Sequence, residues 1–217
     1  MKASIIVLAY GNVVHTRRCI DAVARTAPDA ELVIIDNGST AEVPGAVVNA
    51  ENVGFARGCN QGAKLATGDV LVFLNNDATP RQGWLEALLA PFEDDTVGMT
   101  GATLRYPDGS VQAAGITIDF DRPYGNEARN ANLPPGDVQG VTGACMAVRR
   151  LTFQRVGGFD EGFWNGYEDV DLCLKVDEDG WRIVLTDADV EHIESASGPE
   201  RWTGVHRNIA RLRTKWM

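Results

Sequence analysis

The sequence predicts an α/β fold built on an open, mostly parallel sheet flanked by helices. Three observations carry that expectation. Short apolar runs of strand length alternate with longer segments of helical period. Turn formers or prolines separate them. The 217 residues suffice for one substantial core but not for two typical domains, and no repeat or linker divides them.

Residues 3–9 form a continuous β-rich apolar run, the pattern of a strand covered on both faces. A helix is expected over 14–25, with Val14, Ile20, Ala22 and Val23 on its apolar face and Arg17, Arg18 and Asp21 opposite. Pro28 ends it. A second strand, 31–35, stops at the turn formers Asp36-Asn37-Gly38-Ser39. Val47-Val48 is a short strand, 55–65 a helix despite Gly58 and Gly62, and 70–74 a strand ending at Asn75-Asn76-Asp77. A helix over 82–90 lies between Pro80 and Pro91. Such alternation implies a mostly parallel sheet. Residues 98–118 look like strands around a Pro107-Asp108-Gly109 turn. Residues 119–138, rich in Pro, Gly, Asn and charge, have the character of a functional loop. Beyond them come a strand ending at Ala147-Val148-Arg149, helices over 151–156 and 169–178, a strand over 182–185 and a terminal helix within 199–217.

A hydrophobic content of 44% and a charged content of 23% suit a globular protein and argue against global disorder. The net charge of −10 disfavours nucleic-acid binding, which needs a basic surface. No apolar run approaches membrane-spanning length, and Ile5-Ile6-Val7-Leu8 is too short for a secretory signal, so a cytoplasmic location is expected. Cys19, Cys59, Cys145 and Cys173 are scattered without a C-x-x-C pair, which predicts buried thiols rather than a zinc site.

Ligands of an open parallel sheet bind beyond the carboxyl ends of its strands. Three such ends carry polar groups: Ala9-Tyr10-Gly11-Asn12, Asp36-Asn37-Gly38-Ser39 and Asn75-Asn76-Asp77. Each is also an ordinary turn sequence, but their recurrence after successive strands points to one shared crevice. The first turn has one glycine where a dinucleotide fingerprint needs three, and no Walker loop occurs. Phosphate then needs another holder, and a metal on Asp77 is the candidate.

With these pieces in order, residues from Ser4 to about His192 resemble glycosyltransferase family 2. Ser4-Ile5-Ile6-Val7-Leu8-Ala9-Tyr10 is similar to the family's opening strand. Val33-Ile34-Ile35-Asp36-Asn37-Gly38-Ser39 resembles its second strand and the acidic turn that meets the nucleoside. The most specific piece is Asn52-Val53-Gly54-Phe55-Ala56-Arg57-Gly58-Cys59-Asn60-Gln61-Gly62, which resembles the segment flanking the nucleotide. Phe73-Leu74-Asn75-Asn76-Asp77 resembles the metal-binding D-x-D element, with Asn75 in place of its first acid. Gly157-Gly158-Phe159-Asp160-Glu161 and Tyr167-Glu168-Asp169-Val170-Asp171-Leu172 resemble the acceptor-side half, and Glu191-His192 with Ser195 the late histidine motif.

The resemblance implies the GT-A fold: a Rossmann-like sheet, a nucleotide-binding half over about 1–103 and a smaller acceptor-side β region within about 104–217, in one domain. It implies an inverting transfer of a sugar from a nucleoside diphosphate sugar, UDP- or dTDP-linked, to a hydroxyl of a glycan, a lipid-linked sugar or another acceptor. Ala9, Tyr10, Asn12, Asp36, Asn37, Asn52, Gly54, Phe55, Asn60, Asn75 and Asn76 would contact the donor. Asp77 would ligate Mg²⁺ or Mn²⁺, whose charge offsets that developing on the diphosphate. His192 would be a second ligand, a phosphate contact or a structural group. Asn75 brings an oxygen ligand without charge, which puts the metal dependence in question. Asp169 would be the general base, with Glu168 orienting it or meeting the acceptor; first-turn acids also occur simply to favour a helix dipole. Trp164 would stack on an acceptor sugar or serve as packing. The 119–138 loop would lie near the acceptor side and order on donor binding, as lids do. Arg201, Arg207, Arg211, Arg213 and Lys215 form either a solvated helix face or a basic patch for diphosphate, lipid phosphate or the inner membrane face. Two competing functions stand beside the transferase. A sugar nucleotidyltransferase would need a Gly-rich basic loop that Tyr10-Gly11-Asn12 does not supply. A non-catalytic nucleotide- or carbohydrate-binding module would have no use for Asp169.

Overall fold

A computed structural model of the chain describes residues 1–193 and 204–217; Ser195, Pro199 and Arg201 lie outside the described residues. The first half follows the expected alternation: β1 (Ala3–Gly11), α1 (Val13–Thr26), β2 (Glu31–Ser39), β3 (Val47–Val48), α2 (Phe55–Leu65) and β4 (Val70–Asn75). Next come β5 (Ala78–Pro80), α3 (Trp84–Leu89), a 3-10 turn over Ala90–Glu93 and β6 (Val97–Arg105). β7 (Val111–Ala113), β8 (Ile116–Ile118), β9 (Ala128–Asn130), β10 (Gly136–Asp137) and β11 (Cys145–Arg149) fill the middle. The chain then forms α4 (Arg150–Arg155), α5 (Glu168–Glu178), β12 (Arg182–His192) and α6 (Val205–Trp216).

Among the described residues, ten strands form one sheet along the path β10-β12-β6-β11-β4-β1-β2-β3, with β5 beside β12 and β7 beside β6. β3, β2, β1 and β4 run parallel, as do β6 and β12; β11 is inserted antiparallel between β4 and β6. β8 and β9 form a separate antiparallel hairpin. Alternate residues of β1 serve opposite faces. Ile5 and Val7 join Cys19 and Val23 of α1 and Trp84 and Leu88 of α3. Ile6 and Leu8 join Ala56 and Cys59 of α2, Phe153 of α4 and Leu172 of α5. A strand buried on both faces explains its unbroken apolar run. A third apolar cluster joins Ile116 and Ile118 of β8, Val170 of α5 and Leu212 of α6.

Several boundaries differ from expectation for identifiable reasons. β2 does not stop at Asp36, because its edge continues through the turn to Ser39, which pairs with Gly11. The 119–138 segment is not one loop; it contains β9, which closes a hairpin with β8, and β10, a two-residue edge piece whose partner β12 is remote in sequence. β12 runs to His192 rather than ending at Leu185. Its far half alternates buried Ala188, Val190 and His192 with the acids Asp187, Asp189 and Glu191, and such small and charged residues hide strand character. α3 is shorter than expected, Trp84–Leu89, and ends before Pro91, which lies in the first turn of a 3-10 segment where Pro is tolerated. All four cysteines are free and buried, and burial pushes the Cys173 thiol up to about 12.

Candidate active site

A cavity of about 220 Å³ lies at the carboxyl ends of β1, β2 and β4, where the three polar turns converge. Tyr10, Asn37, Asn52, Phe55, Asn75, Asn76 and Asp77 line it from the first half of the chain. Trp164, Glu168, Asp169 and His192 line it from the second.

At the β4 end, Asn76 Nδ2 donates to Tyr10 O and Thr16 Oγ1, each at 2.9 Å, so Asn76 ties β4 to the β1 turn. Its neighbours face the cavity. Asp77 Oδ1 lies 3.0 Å from His192 Nε2, and Asn75 Nδ2 lies 3.3 Å from the same nitrogen. Strand pairing makes this meeting possible, because His192 sits opposite Ala78 in the β5–β12 ladder. Gln112 Nε2 donates to the His192 carbonyl at 3.3 Å, which turns Gln112 Oε1 toward Nδ1 at 2.7 Å. In the neutral ring Nδ1 therefore carries the proton and Nε2 accepts from Asn75 Nδ2, while the Asp77 carboxylate beside Nε2 favours a proton or a cation there. A carboxylate, an imidazole lone pair and a neighbouring amide on one cavity wall fit a hard divalent cation. Among the described residues no group of three or more His, Cys, Asp or Glu converges on a point, so further ligands would be phosphate or water oxygens.

The β2 end is an amide network. Asn37 Nδ2 donates to Asn52 Oδ1 at 2.8 Å, and Asn37 Oδ1 accepts from Asn49 Nδ2 at 3.1 Å and Val53 N at 3.0 Å. Asn52 Oδ1 also accepts from Gly54 N at 2.9 Å. These bonds fix the loop that leads into α2. Gly54 has φ 86° and lies so close to the Trp164 ring that a Cβ there would meet it at 3.1 Å. The glycine thus lets the 52–54 loop and Trp164 form a common wall.

Five expected donor residues are placed differently. Ala9 is buried in the apolar cluster beside Val13, and Gly54 contributes its backbone and close packing. Asp36 Oδ1 accepts from Gly38 N at 3.1 Å and Ser39 N at 2.8 Å, so Asp36 shapes its own turn. Asn12 Oδ1 caps α1 at Val14 N, 3.0 Å. Asn60 clasps the Phe159 backbone, accepting from its N–H at 3.0 Å and donating to its carbonyl at 2.9 Å. None of these five lines the cavity.

The acceptor side hangs on residues 163–169. Asn165 has φ 47° and Tyr167 φ 70°, the two left-handed non-glycine residues among those described. Such conformations persist where surrounding contacts enforce them. Here Asn208 of α6 supplies the contacts: its Oδ1 accepts from Trp164 N at 3.1 Å, and its Nδ2 donates to Trp164 O at 2.7 Å and Gly166 O at 2.9 Å. Asn165 Oδ1 accepts from Phe55 N at 3.0 Å, joining this loop to α2. Glu168 is buried and accepts from Gly166 N at 2.5 Å. Asp169 stands in the first turn of α5, where Oδ2 accepts from Gly143 N at 2.9 Å and Oδ1 from Val170 N at 2.9 Å. The helix dipole also favours an anion there. Burial, reinforced by the Glu127 and Asp169 carboxylates, raises the Tyr167 phenol above its ordinary value and keeps it neutral.

Leu8, Asn165, Gly166 and the run Thr142-Gly143-Ala144 complete the lining and were not foreseen. The last three carry no charge, and Gly143 acts through a backbone N–H, which residue type does not reveal. Three of the terminal basic residues pair within the molecule, Arg207 is exposed, and Arg201 lies outside the described residues. Arg211 pairs with Asp160 at 2.8 Å, Arg213 with the fully buried Glu127 at 2.6 Å and Lys215 with the fully buried Asp171 at 2.7 Å.

Comparison with known proteins bears on the family and the fold. The sequence model described as Glycosyl transferase family 2 matches residues 4–157, well over half of the chain. The model described as N-terminal domain of galactosyltransferase matches residues 127–197. The O-antigen biosynthesis protein RfbC of Myxococcus xanthus is 35% identical over 64% of this chain, which spans only 12% of that protein's length. The N-acetylglucosaminyl-diphospho-decaprenol L-rhamnosyltransferase of Mycobacterium tuberculosis is 26% identical, covering 89% of this chain and 76% of its own. The crystal structure of GalNAc-T7 with UDP, GalNAc and Mn²⁺ superposes with a TM-score of 0.80 at 19% identity, covering 99% of this chain and 48% of that one. The fold is therefore GT-A. No helix among the described residues is long and apolar enough to cross a membrane.

Proposed function

This chain belongs to glycosyltransferase family 2, and from that premise we propose that it transfers a sugar from a nucleoside diphosphate sugar to an acceptor hydroxyl with inversion. The observation that carries the reading is a single cavity lined both by Asn75, Asp77 and His192 and by Asp169. The first group suits a diphosphate with its cation, and the last suits a proton acceptor at the site of attack.

The nucleoside diphosphate lies along the β1, β2 and β4 ends, with Tyr10, Asn37, Asn52 and Phe55 against it. Asp77 and His192 would hold Mg²⁺ or Mn²⁺, which supplies charge stabilisation to the departing diphosphate. The acceptor oxygen attacks the anomeric carbon from the face opposite the diphosphate. The carbon–oxygen bond to phosphate breaks, its electron pair stays on the diphosphate, and the hydroxyl proton passes to Asp169. Gly143 N–H and Val170 N–H fix the orientation of that carboxylate. Glu168 acts indirectly, holding the strained Gly166 turn that places Trp164 and Asp169. A UDP- or dTDP-sugar is the favoured donor.

The test is calorimetric titration of nucleoside diphosphates and nucleotide sugars, with Mn²⁺, Mg²⁺ or EDTA, on the wild type, Asp77→Ala and Asp169→Asn. One nucleotide class should bind with metal, lose at least about tenfold in affinity in Asp77→Ala and keep it in Asp169→Asn. Transfer should fall by about 10²-fold or more in Asp169→Asn. A folded wild type that binds no nucleotide would sink the reading.

A further inference from the structure

A second cavity, of about 210 Å³, adjoins the first, and Thr142, Asn165, Gly166 and Asp169 line both. The remaining walls come from the β8–β9 hairpin, Tyr167, Val170 and Val205. Asp169 is thus presented to two spaces at once, as a base between donor and acceptor must be.

The second cavity has its own chemistry. Asn130, Asn165 and Thr142 offer amide and hydroxyl groups suited to sugar hydroxyls, and the Tyr167 ring offers a flat face. Arg129 of β9 adds a cation. Like Arg17, Arg25, Arg150 and Arg207 it pairs with no carboxylate among the described residues, and of these five it is the one that lines the cavity. The chain has 30 acidic residues against 20 basic ones, and arginines at 57, 81, 105, 182, 211 and 213 all pair with carboxylates. Arg129 is exposed; among the described residues it hydrogen-bonds Asn126 Oδ1 and pairs with no carboxylate. Glu127, two positions away, is already held by Arg213.

We propose that the second cavity is the acceptor site and that it selects an acceptor carrying an anionic group beside the receiving sugar, with Arg129 as the counter-charge. The proposal rests on the glycosyltransfer reading of the first cavity and adds the acceptor's chemical class. A guanidinium fork matches phosphate and carboxylate alike, so a sugar phosphate and a uronic acid share the required chemistry. A neutral acceptor offers Arg129 hydroxyl hydrogen bonds but no counter-charge.

The experiment uses the full chain, wild type and Arg129→Gln, with the first cavity saturated by nucleoside diphosphate and Mn²⁺. Hexose 1-phosphate, hexuronic acid and methyl hexoside are then titrated calorimetrically. One anionic probe should bind at least about tenfold more tightly than the methyl hexoside, and Arg129→Gln should erase the preference while binding nucleoside diphosphate unchanged. The stronger anionic probe identifies the source of the charge. Absence of an anionic preference, whether the probes bind alike or not at all, overturns the proposal and leaves the donor reading standing, as does a preference that survives in Arg129→Gln. If no nucleoside diphosphate binds the wild type, the donor reading fails and the proposal with it.

Discussion

Gln112 illustrates how a residue shapes the site without facing a ligand. Its amide grips both Nδ1 and the carbonyl of His192, fixing the tautomer that offers Nε2 to the cavity. Outer groups of this kind typically govern metal affinity by about 10- to 100-fold. Gln112→Leu should therefore weaken Mn²⁺-dependent nucleotide binding by about that factor. Binding measured in EDTA should be unaffected; an equal loss in EDTA would mean that the residue only supports the fold. Legibility at this scale followed side-chain chemistry. Asn75, Asp77, Asp169 and His192 carry groups whose type announces a role, and the structure gathers them around one cavity. Asp36, Asn12 and Asn60 carry similar groups turned onto backbone atoms, a choice set by φ/ψ that no residue name records. Gly143 and Gln112 went unseen for the converse reason: one acts through its backbone, and the other reaches its partner across 80 positions.

At the scale of elements, α2 is the clearest case of a sequence feature whose purpose needs the packing to explain it. Gly58 and Gly62 lower helix propensity, yet the helix spans Phe55–Leu65 as expected. Both glycines face β1: a Cβ at Gly58 would lie 2.3 Å from Leu8 Cδ1, and one at Gly62 2.4 Å from Ile6 Cγ2. The close approach seats the helix whose N-terminus borders the donor cavity. In Gly62→Ala, the gain in helix propensity of about 1 kcal/mol opposes an overpacking cost of about 1–3 kcal/mol. Urea denaturation should show a net loss of stability; a stabilised variant would mean that β1 yields freely. Long buried strands and amphipathic helices were legible because one period dominates each. β9, β10 and the far half of β12 were not: β9 is three residues without an apolar period, and β10 and β12 have partners remote in sequence and residues that are small or charged.

Across the whole molecule, α6 ties the elements of the acceptor side to one another, and it does so largely with charge. Lys215 and Trp216 Nε1 reach the fully buried Asp171 of α5, Arg213 reaches Glu127 beside β9, and Arg211 and Lys215 hold Asp160. Tyr124 Oη adds a bond to His206 O at 2.8 Å, linking the 119–138 segment to α6. Near the opposite edge, Glu31 accepts from Ser4, Thr67 N and Thr67 Oγ1, linking β2 to the loop before β4. Partial burial works to raise the Asp160 carboxyl, but Arg211, Gly162 N–H and Lys215 overcome it and hold it at about 2. Glu31 is likewise held at about 2, burial being outweighed by Ser4 and Thr67. Unfolded carboxyls take up protons near pH 4, so between about pH 4 and 2 the unfolded chain binds more protons than the folded one. Stability contributed by these groups is complete above pH 4 and lost as pH falls through 2. Because both are partly solvated, screening limits each to about 1 kcal/mol. Acid unfolding followed by circular dichroism should therefore begin below pH 4 in the wild type. In Asp160→Asn, stability at pH 7 should drop and its decline between pH 4 and 2 should be shallower. An unchanged acid slope would mean that Asp160 is equally easy to protonate in both states, and that α6 is held by its apolar contacts and the buried pairs alone.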